Sequence, residues 1–187
     1  EEDLHKSIKI LEKILGKRTR ILGYRAPQFS ITEKTSWAID ILKRAGLKYD
    51  SSVFPTKNRL YGVSDAPLFP YPISTSNLWG GAHDDDFMEI PLSVLKIPGI
   101  SYNIPVAGGF YLRFFPYDFI KNALKIINLK KQSAVCYIHP WELDPGHPRV
   151  PMLKWYHYWN LSSTEKKIRR LLRDFKFTSV NRMLTFT

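Results

Sequence analysis

The hydrophobic positions of the chain follow a helical period in four segments. In the first, an apolar residue recurs every three or four positions, and a glycine follows as a stop. The apolar positions of this first segment are Leu4, Ile8, Leu11 and Leu15, and the glycine is Gly16. The second predicted helix spans residues 33–45, with Ser30 before its start and Gly46 after its end. The third is "PYDFIKNALKIIN", with Pro116 in its first turn. The fourth is "STEKKIRRLLRDF", with a capping box between Ser162 and Glu165.

Short β-type runs alternate with these helices. They are "RILGYR", "LKYD", "FMEIPLSVLKI", "SAVCYIHP" and a final run around "FTSV". The intervening residues 51–86 are rich in proline and loop-forming residues, which favours irregular structure and short edge strands. The alternation predicts one α/β domain over residues 1–187 with mainly parallel strands, arranged as a barrel or as an open sheet.

Charge changes this picture by raising the possibility of an anionic partner. Lysine and arginine number 28 against 17 acids, for a net charge of +11, so nucleic acid, an acidic glycan and a membrane surface are all candidates. The densest basic runs lie on or beside amphipathic helices, where a solvated face explains them, and no nucleic-acid-binding motif accompanies them. We therefore expect no nucleic-acid partner.

The apolar segments disfavour both a membrane-spanning protein and a reactive or disulfide-bonded cysteine. No run approaches the roughly 20 apolar residues that span a bilayer, so no transmembrane segment is expected. Cys136 lies inside the apolar run "SAVCYI" and is interpreted as a small buried hydrophobe, and not as a nucleophile or disulfide partner. The chain opens without a signal peptide, which favours a cytoplasmic protein unless a further segment precedes Glu1.

Candidate chemistry lies where the β runs end. Arg25, Asp50 and His139 each terminate one of these runs, and in parallel α/β folds the carboxyl ends of the strands share one face. The three residues thus predict a site that holds a guanidinium, a carboxylate and an imidazole. An imidazole can protonate a leaving group and a guanidinium can orient a carboxylate base. Neither supplies a nucleophile, and no serine, cysteine or metal motif for one is present.

Each of these residues also has a structural interpretation. His139 could be a satisfied histidine at a strand end, Arg25 could be an ion-pair residue, and Asp50 could cap the turn that follows it. The run "GGAHDDDF" offers His83 and three aspartates as metal ligands, but consecutive residues cannot all face one ion, so a solvated loop is favoured. The aromatic segment "WYHYW" is expected to pack the C-terminal part of the chain rather than to bind sugar.

The order of several longer strings identifies a resemblance. "GYRAPQFSIT", "GLKYDSSVFP", "AGGFYLRFFPYDF", "YIHPWELDPGHPRVP" and "HYWNLSSTEKKIRRLLRDFKFTSV" resemble the NodB-homology polysaccharide deacetylases, and within them the subgroup associated with exopolysaccharide biosynthesis, whose C-terminal extension carries the H-P-W-E pattern. The resemblance implies an irregular (β/α) barrel whose extension begins at about residue 140. It also implies the hydrolytic removal of N-acetyl groups from a polysaccharide or oligosaccharide through metal-activated water.

The resemblance also implies roles for individual residues. Arg25 would hold the catalytic-base aspartate, Asp50 would belong to the acidic groove motif, and His139 would be the catalytic acid that protonates the departing amine. The remaining implied site residues are substrate-binding ones. They are Pro27 and Phe29 at the groove wall, and Tyr137, Ile138 and Trp141 near the acetyl pocket.

One part of the family pattern is missing. The Asp-Asp pair and the H-[ST]-x-x-H pair, which supply the base and the metal ligands, do not occur in this sequence. We therefore expect a chain that lacks the N-terminal units of the barrel, roughly 60 residues, and that is inactive alone. The zinc, cobalt or nickel ion would be bound by the full-length parent and not by these residues. The alternative hypothesis is a non-catalytic glycan-binding or interaction module.

Overall fold

The computed structural model describes residues 1–16, 19–57, 62–79 and 86–184. Within it the chain forms two compact units, Glu1–Leu92 and Ser93–Thr187. The boundary falls inside the predicted run "FMEIPLSVLKI", which forms two separate two-residue strands, one in each unit. Pro91 lies between these strands, and because proline lacks the backbone N–H that continues a ladder, one long strand is disfavoured there.

The first unit is built on a small mixed sheet. Its strands are β1 Gly23–Tyr24, β2 Tyr49–Asp50, β3 Tyr71–Pro72 and β4 Met88–Glu89, in the order β1-β2-β4-β3. The pairs β1-β2 and β2-β4 are parallel, whereas β3 joins β4 antiparallel. These parallel pairs agree with the mainly parallel strands expected from the alternation, and they bring the ends of β1 and β2 to one edge.

Two helices accompany this sheet. Helix α1 spans Glu2–Leu15 and ends at Gly16, whose φ of 91° suits glycine. Helix α2 spans Trp37–Arg44 and follows a 3-10 turn at Glu33–Thr35. The predicted cap at Ser30 is wrong, because the capping box joins Thr32 and Thr35.

The core of the first unit lies between the helices and the sheet. Leu4 and Ile8 of α1 are partly buried against it, whereas Leu11 and Leu15 of the same predicted face remain exposed. The fully buried members come from every part of the unit. They are Ala26, Ile31, Ile39, Leu42, Leu47, Val53, Ala66, Tyr71, Ile73, Leu78 and Phe87.

The second unit is mainly helical. Its strands β5 Val94–Leu95 and β6 Ile104–Pro105 form an antiparallel pair. Its α-helices are α3 Gly109–Phe114, α4 Tyr117–Leu129, α5 Thr164–Asp174 and α6 Val180–Leu184, with 3-10 turns at Pro140–Leu143, Trp155–His157 and Leu161–Ser163. Helix α4 begins directly after Pro116, as predicted, and it buries Tyr117, Ile120, Ala123, Leu124 and Ile127.

Three predictions for the second unit are wrong. The run "SAVCYI" forms no strand in the described chain; it makes one bridge, between Gly108 and Tyr137. The run "FTSV" precedes helix α6 instead of forming a strand. Helix α5 follows a 3-10 turn and has Ser163 at its N-cap without a side-chain hydrogen bond, so the predicted box at Ser162 is absent. Apolar β-branched runs become strands only where a partner backbone lies alongside.

The parallel pairs agree with an α/β protein, and the (β/α) barrel and the single domain stay predictions. Among the described residues, no helix has the length and apolar character needed to cross a bilayer.

Candidate functional site

An acidic pair lies at the centre of the first unit's sheet. Asp50 on β2 is the register partner of Glu89 on β4, and Glu89 in turn faces Tyr71 on β3. Register partners share a face of the sheet, so these side chains form a row across it. Asp50 and Glu89 are both fully buried, with 0% exposure.

This burial shifts the pKa of both acids. Burial raises the pKa of Asp50, although hydrogen bonds from its neighbours partly offset the effect. Burial, and then the charge of Asp50, raise the pKa of Glu89 well above its usual range. Glu89 Oε1 accepts a hydrogen bond from the Val53 amide at 2.9 Å. Two carboxylates in one buried row cannot both ionise cheaply, so the second negative charge is disfavoured.

The residues after β2 connect Asp50 to Arg25. The Ser52 hydroxyl donates to Asp50 Oδ1 at 2.7 Å, and the Ser52 amide donates to Oδ2 at 3.1 Å. Arg25 donates through Nε to the Ser51 carbonyl at 2.8 Å and through a terminal nitrogen to Ser51 Oγ at 2.6 Å. Arg25 is thereby held in a defined orientation. Asp50 has the geometry of the turn-capping interpretation, and its role in a substrate groove stays a prediction.

Pro27 and Phe29 lie in the loop that follows Arg25. They belong to a 3-10 turn, Pro27–Phe29, in which Gln28 and Phe29 have φ values of 56° and 52°. Such values are uncommon for residues with a side chain and persist where packing enforces them. Phe29 is buried and contacts the Phe54 ring with centroids 5.4 Å apart, whereas Pro27 is exposed. Of Pro27 and Phe29, only Pro27 therefore has a side chain that is exposed to solvent.

In the second unit, His139 lies beside a buried ion pair. The side chain of His139 is about half exposed, and its Nδ1 is 3.5 Å from Glu142 Oε2. The His139 amide also donates to Glu142 Oε2, at 2.8 Å. Glu142 Oε1 pairs with the Arg113 guanidinium at 3.0 Å, with only 3% and 2% of these side chains exposed. The carboxylate is thus held by Arg113 on one side and contacts the imidazole on the other.

An aromatic cluster surrounds this pair. Trp141 stacks on His157 with centroids 4.0 Å apart and planes 12° apart, and it lies 5.9 Å from the His139 ring. Arg113 lies over Trp141 and donates to the His157 carbonyl at 3.0 Å. Burial lowers the pKa of His157, and the nearby charge of His147 adds to this effect. His157 is therefore neutral near pH 7 and acts as a packing residue.

Tyr137 and Ile138 line an apolar cavity of about 120 Å³ together with Cys136. Burial raises the pKa of Cys136 to about 12, so the thiol stays protonated, as expected for a small hydrophobe and not for a nucleophile. Tyr137 also contacts the edge of the His139 ring at 5.2 Å. Tyr137 and Trp141 therefore flank the imidazole, and their role near an acetyl pocket stays a prediction.

The predicted residues thus fall into two groups. Arg25 and Asp50 are connected through Ser51 and Ser52 in the first unit, and His139 lies with Tyr137 and Trp141 in the second. The convergence of all three on one site stays a prediction.

Sequence reasoning missed three charged residues that complete these groups. They are Glu89, Arg113 and Glu142. Glu142 was detectable, since an acid three residues after an N-capping position is a capping-box pattern. No comparable local sequence pattern marks Glu89 or Arg113, because their partners are distant in sequence.

The described residues hold no group of three or more His, Cys, Asp and Glu side chains arranged to bind a metal ion. Residues 83–85 of the "GGAHDDDF" run lie outside the described residues. The metal of the parent protein stays a prediction.

Comparison with known families adds one finding. A family model described as a domain of unknown function, DUF3473, matches residues 51–185. The match includes His139, Tyr137 and Trp141 and begins one residue after Asp50. No curated protein and no solved structure matches the chain.

Proposed function

This chain belongs to the DUF3473 domain family, and we propose that it carries the proton-donating and groove residues of a polysaccharide deacetylase. The proposed reaction is hydrolysis of the N-acetyl group of a sugar. The proposal extends the resemblance of its "RAPQF", "YDSS" and "IHPWE" strings to the NodB-homology deacetylases.

The observation that carries the proposal is the contact between His139 and Glu142. A carboxylate beside Nδ1 favours the tautomer that carries its proton on that nitrogen. The second nitrogen, Nε2, is then the one that can exchange a proton with a substrate. Because Glu142 is buried and paired with Arg113, the carboxylate is fixed before substrate binds, and the imidazole is oriented in advance.

The proposed role of His139 follows from the chemistry of amide hydrolysis. Water adds to the acetyl carbonyl, and the C–N bond then breaks with the electron pair passing to nitrogen. An amine leaves readily only if that nitrogen receives a proton, which His139 Nε2 would donate. Acetate and the free amine are the products.

The nucleophilic half of the reaction lies outside this chain in our proposal. In deacetylases of this type a divalent ion such as zinc, cobalt or nickel activates the water, and the described residues do not fit such a site. Arg25 would contribute by orienting the base, because the Ser51 carbonyl and hydroxyl fix its guanidinium.

The test uses the natural protein that contains these residues. We expect it to release acetate from N-acetylated oligosaccharides, and we expect His139→Ala to lower kcat by about 10²- to 10⁴-fold with a small change in KM. His5→Ala is the matched control, because His5 is an exposed histidine on helix α1. Glu142→Gln tests the positioning role, because it should shift the pH profile of kcat. Unchanged turnover in His139→Ala would remove the assigned role.

A further inference from the structure

The segment of residues 145–164 presents an aromatic corner to solvent. Two of its tryptophans, Trp155 and Trp159, are 68% and 48% exposed. Their rings lie 5.6 Å apart at 85° to each other, so one face and one edge meet at a right angle. Tyr156 is 41% exposed beside them. Large exposed rings cost solvation free energy, and a group of them marks a binding surface.

The corner is held rigid by the residues between its tryptophans. His157 stacks on Trp141 at 4.0 Å, and its carbonyl accepts from Arg113. The Tyr158 hydroxyl accepts from the Val150 amide at 2.6 Å and donates to the Pro148 carbonyl at 3.3 Å. These inward contacts fix the loop without using Trp155 or Trp159. The backbone that carries the exposed rings is therefore held in place before any ligand arrives, which lowers the entropic cost of binding.

Two cationic side chains lie beside the aromatic rings of this segment. Lys154 lies 5.9 Å from the Tyr156 ring centroid, and Arg149 lies 5.5 Å from that of Tyr158. Residues 145–164 contain no aspartate or glutamate, and Asp144 and Glu165 flank the segment on either side. An apolar ring surface accompanied by two cations complements a ligand with an apolar face and a negative charge.

We propose that Trp155 and Trp159 form a stacking site for an anionic polysaccharide. The apolar C–H face of a pyranose ring would stack on one tryptophan, and the edge of the same ring would contact the other. The carboxylate of a uronic acid sugar would then pair with Lys154 or Arg149. Single-stranded nucleic acid fits less well, because its binding sites combine aromatic platforms with a continuous basic groove. The site is independent of the proposed deacetylase function, since it does not use the His139 imidazole.

The test titrates the natural protein that contains these residues with polygalacturonate oligomers, with dextran of equal length and with oligo-dT, by tryptophan fluorescence and calorimetry. We expect polygalacturonate to bind more tightly than dextran. Trp155→Ala and Trp159→Ala should each weaken it by about tenfold, near the lower end for flat ligands stacked on aromatic side chains. Trp37→Ala is the matched control, since Trp37 is 60% exposed in the first unit. Lys154→Gln should weaken polygalacturonate and leave dextran unchanged.

Three results would overturn the proposal. They are the absence of binding to either polysaccharide, an equal loss of affinity in Trp37→Ala, and tighter binding of oligo-dT that the Trp155 and Trp159 variants abolish. Circular dichroism of each variant confirms that a loss reflects the surface and not unfolding.

Discussion

The ion pair between Arg113 and Glu142 provides the sharpest test of what stabilises the second unit. Glu142→Ala removes a carboxylate whose side chain is 3% exposed, and it leaves the Arg113 guanidinium, 2% exposed, without its counter-ion. It also removes the acceptor of the His139 amide. Removing one partner of a buried pair typically costs about 3–5 kcal/mol, which is a large part of a total stability of about 5–15 kcal/mol.

The assay is urea unfolding followed by tryptophan fluorescence. We expect Glu142→Ala to lower the free energy of unfolding by about 3–5 kcal/mol, and Glu165→Ala to lower it by less than about 0.5 kcal/mol, because the Glu165 pair with Arg169 is exposed. The double variant Arg113→Met with Glu142→Leu should be more stable than Glu142→Ala, since it leaves no buried charge unpaired. A cost below about 1 kcal/mol for Glu142→Ala would refute the reasoning, because desolvation would then not govern the pair.

Three further perturbations follow from single contacts. Glu89→Gln should remove a pH dependence of stability. Burial raises the pKa of Glu89, so the free energy of unfolding falls as pH rises above about 4.3, by at most about 1.4 kcal/mol per pH unit. If the thermal midpoint of the variant changed with pH as steeply as that of the natural protein, this reasoning would be contradicted. Gly109→Ala should lower the free energy of unfolding in urea by about 1–3 kcal/mol, since the new Cβ would overlap the Glu142 carboxylate. An unaltered free energy of unfolding would count against that contact. Lys167→Met should cost about 1–3 kcal/mol, because Lys167 Nζ donates to three carbonyls at the end of α3, and Lys166→Met serves as its exposed control.

The local features of the chain followed from its sequence. The helical spacing of Leu4 and Ile8 predicted α1, Gly16 marked its end, and Pro116 marked the start of α4. The hydrogen bonds of a helix join residues four apart, so a short stretch of sequence contains most of what decides it. The runs that contain β1 and β2 were also recognisable from the sequence, and the run that ends at Asp50 ends where β2 does.

The partnerships that define the candidate site were decided by tertiary structure. Asp50 and Glu89 are 39 residues apart in the sequence, and Arg113 contacts Glu142 from helix α3, which the hydrophobic pattern did not predict. The run "SAVCYI" has the composition of a strand, yet within the described chain it makes a single bridge, between Tyr137 and Gly108. A strand, a buried ion pair and a pKa shift each depend on a second segment that excludes water. Sequence alone therefore determined which residues could do chemistry, and packing determined which neighbours hold them in place.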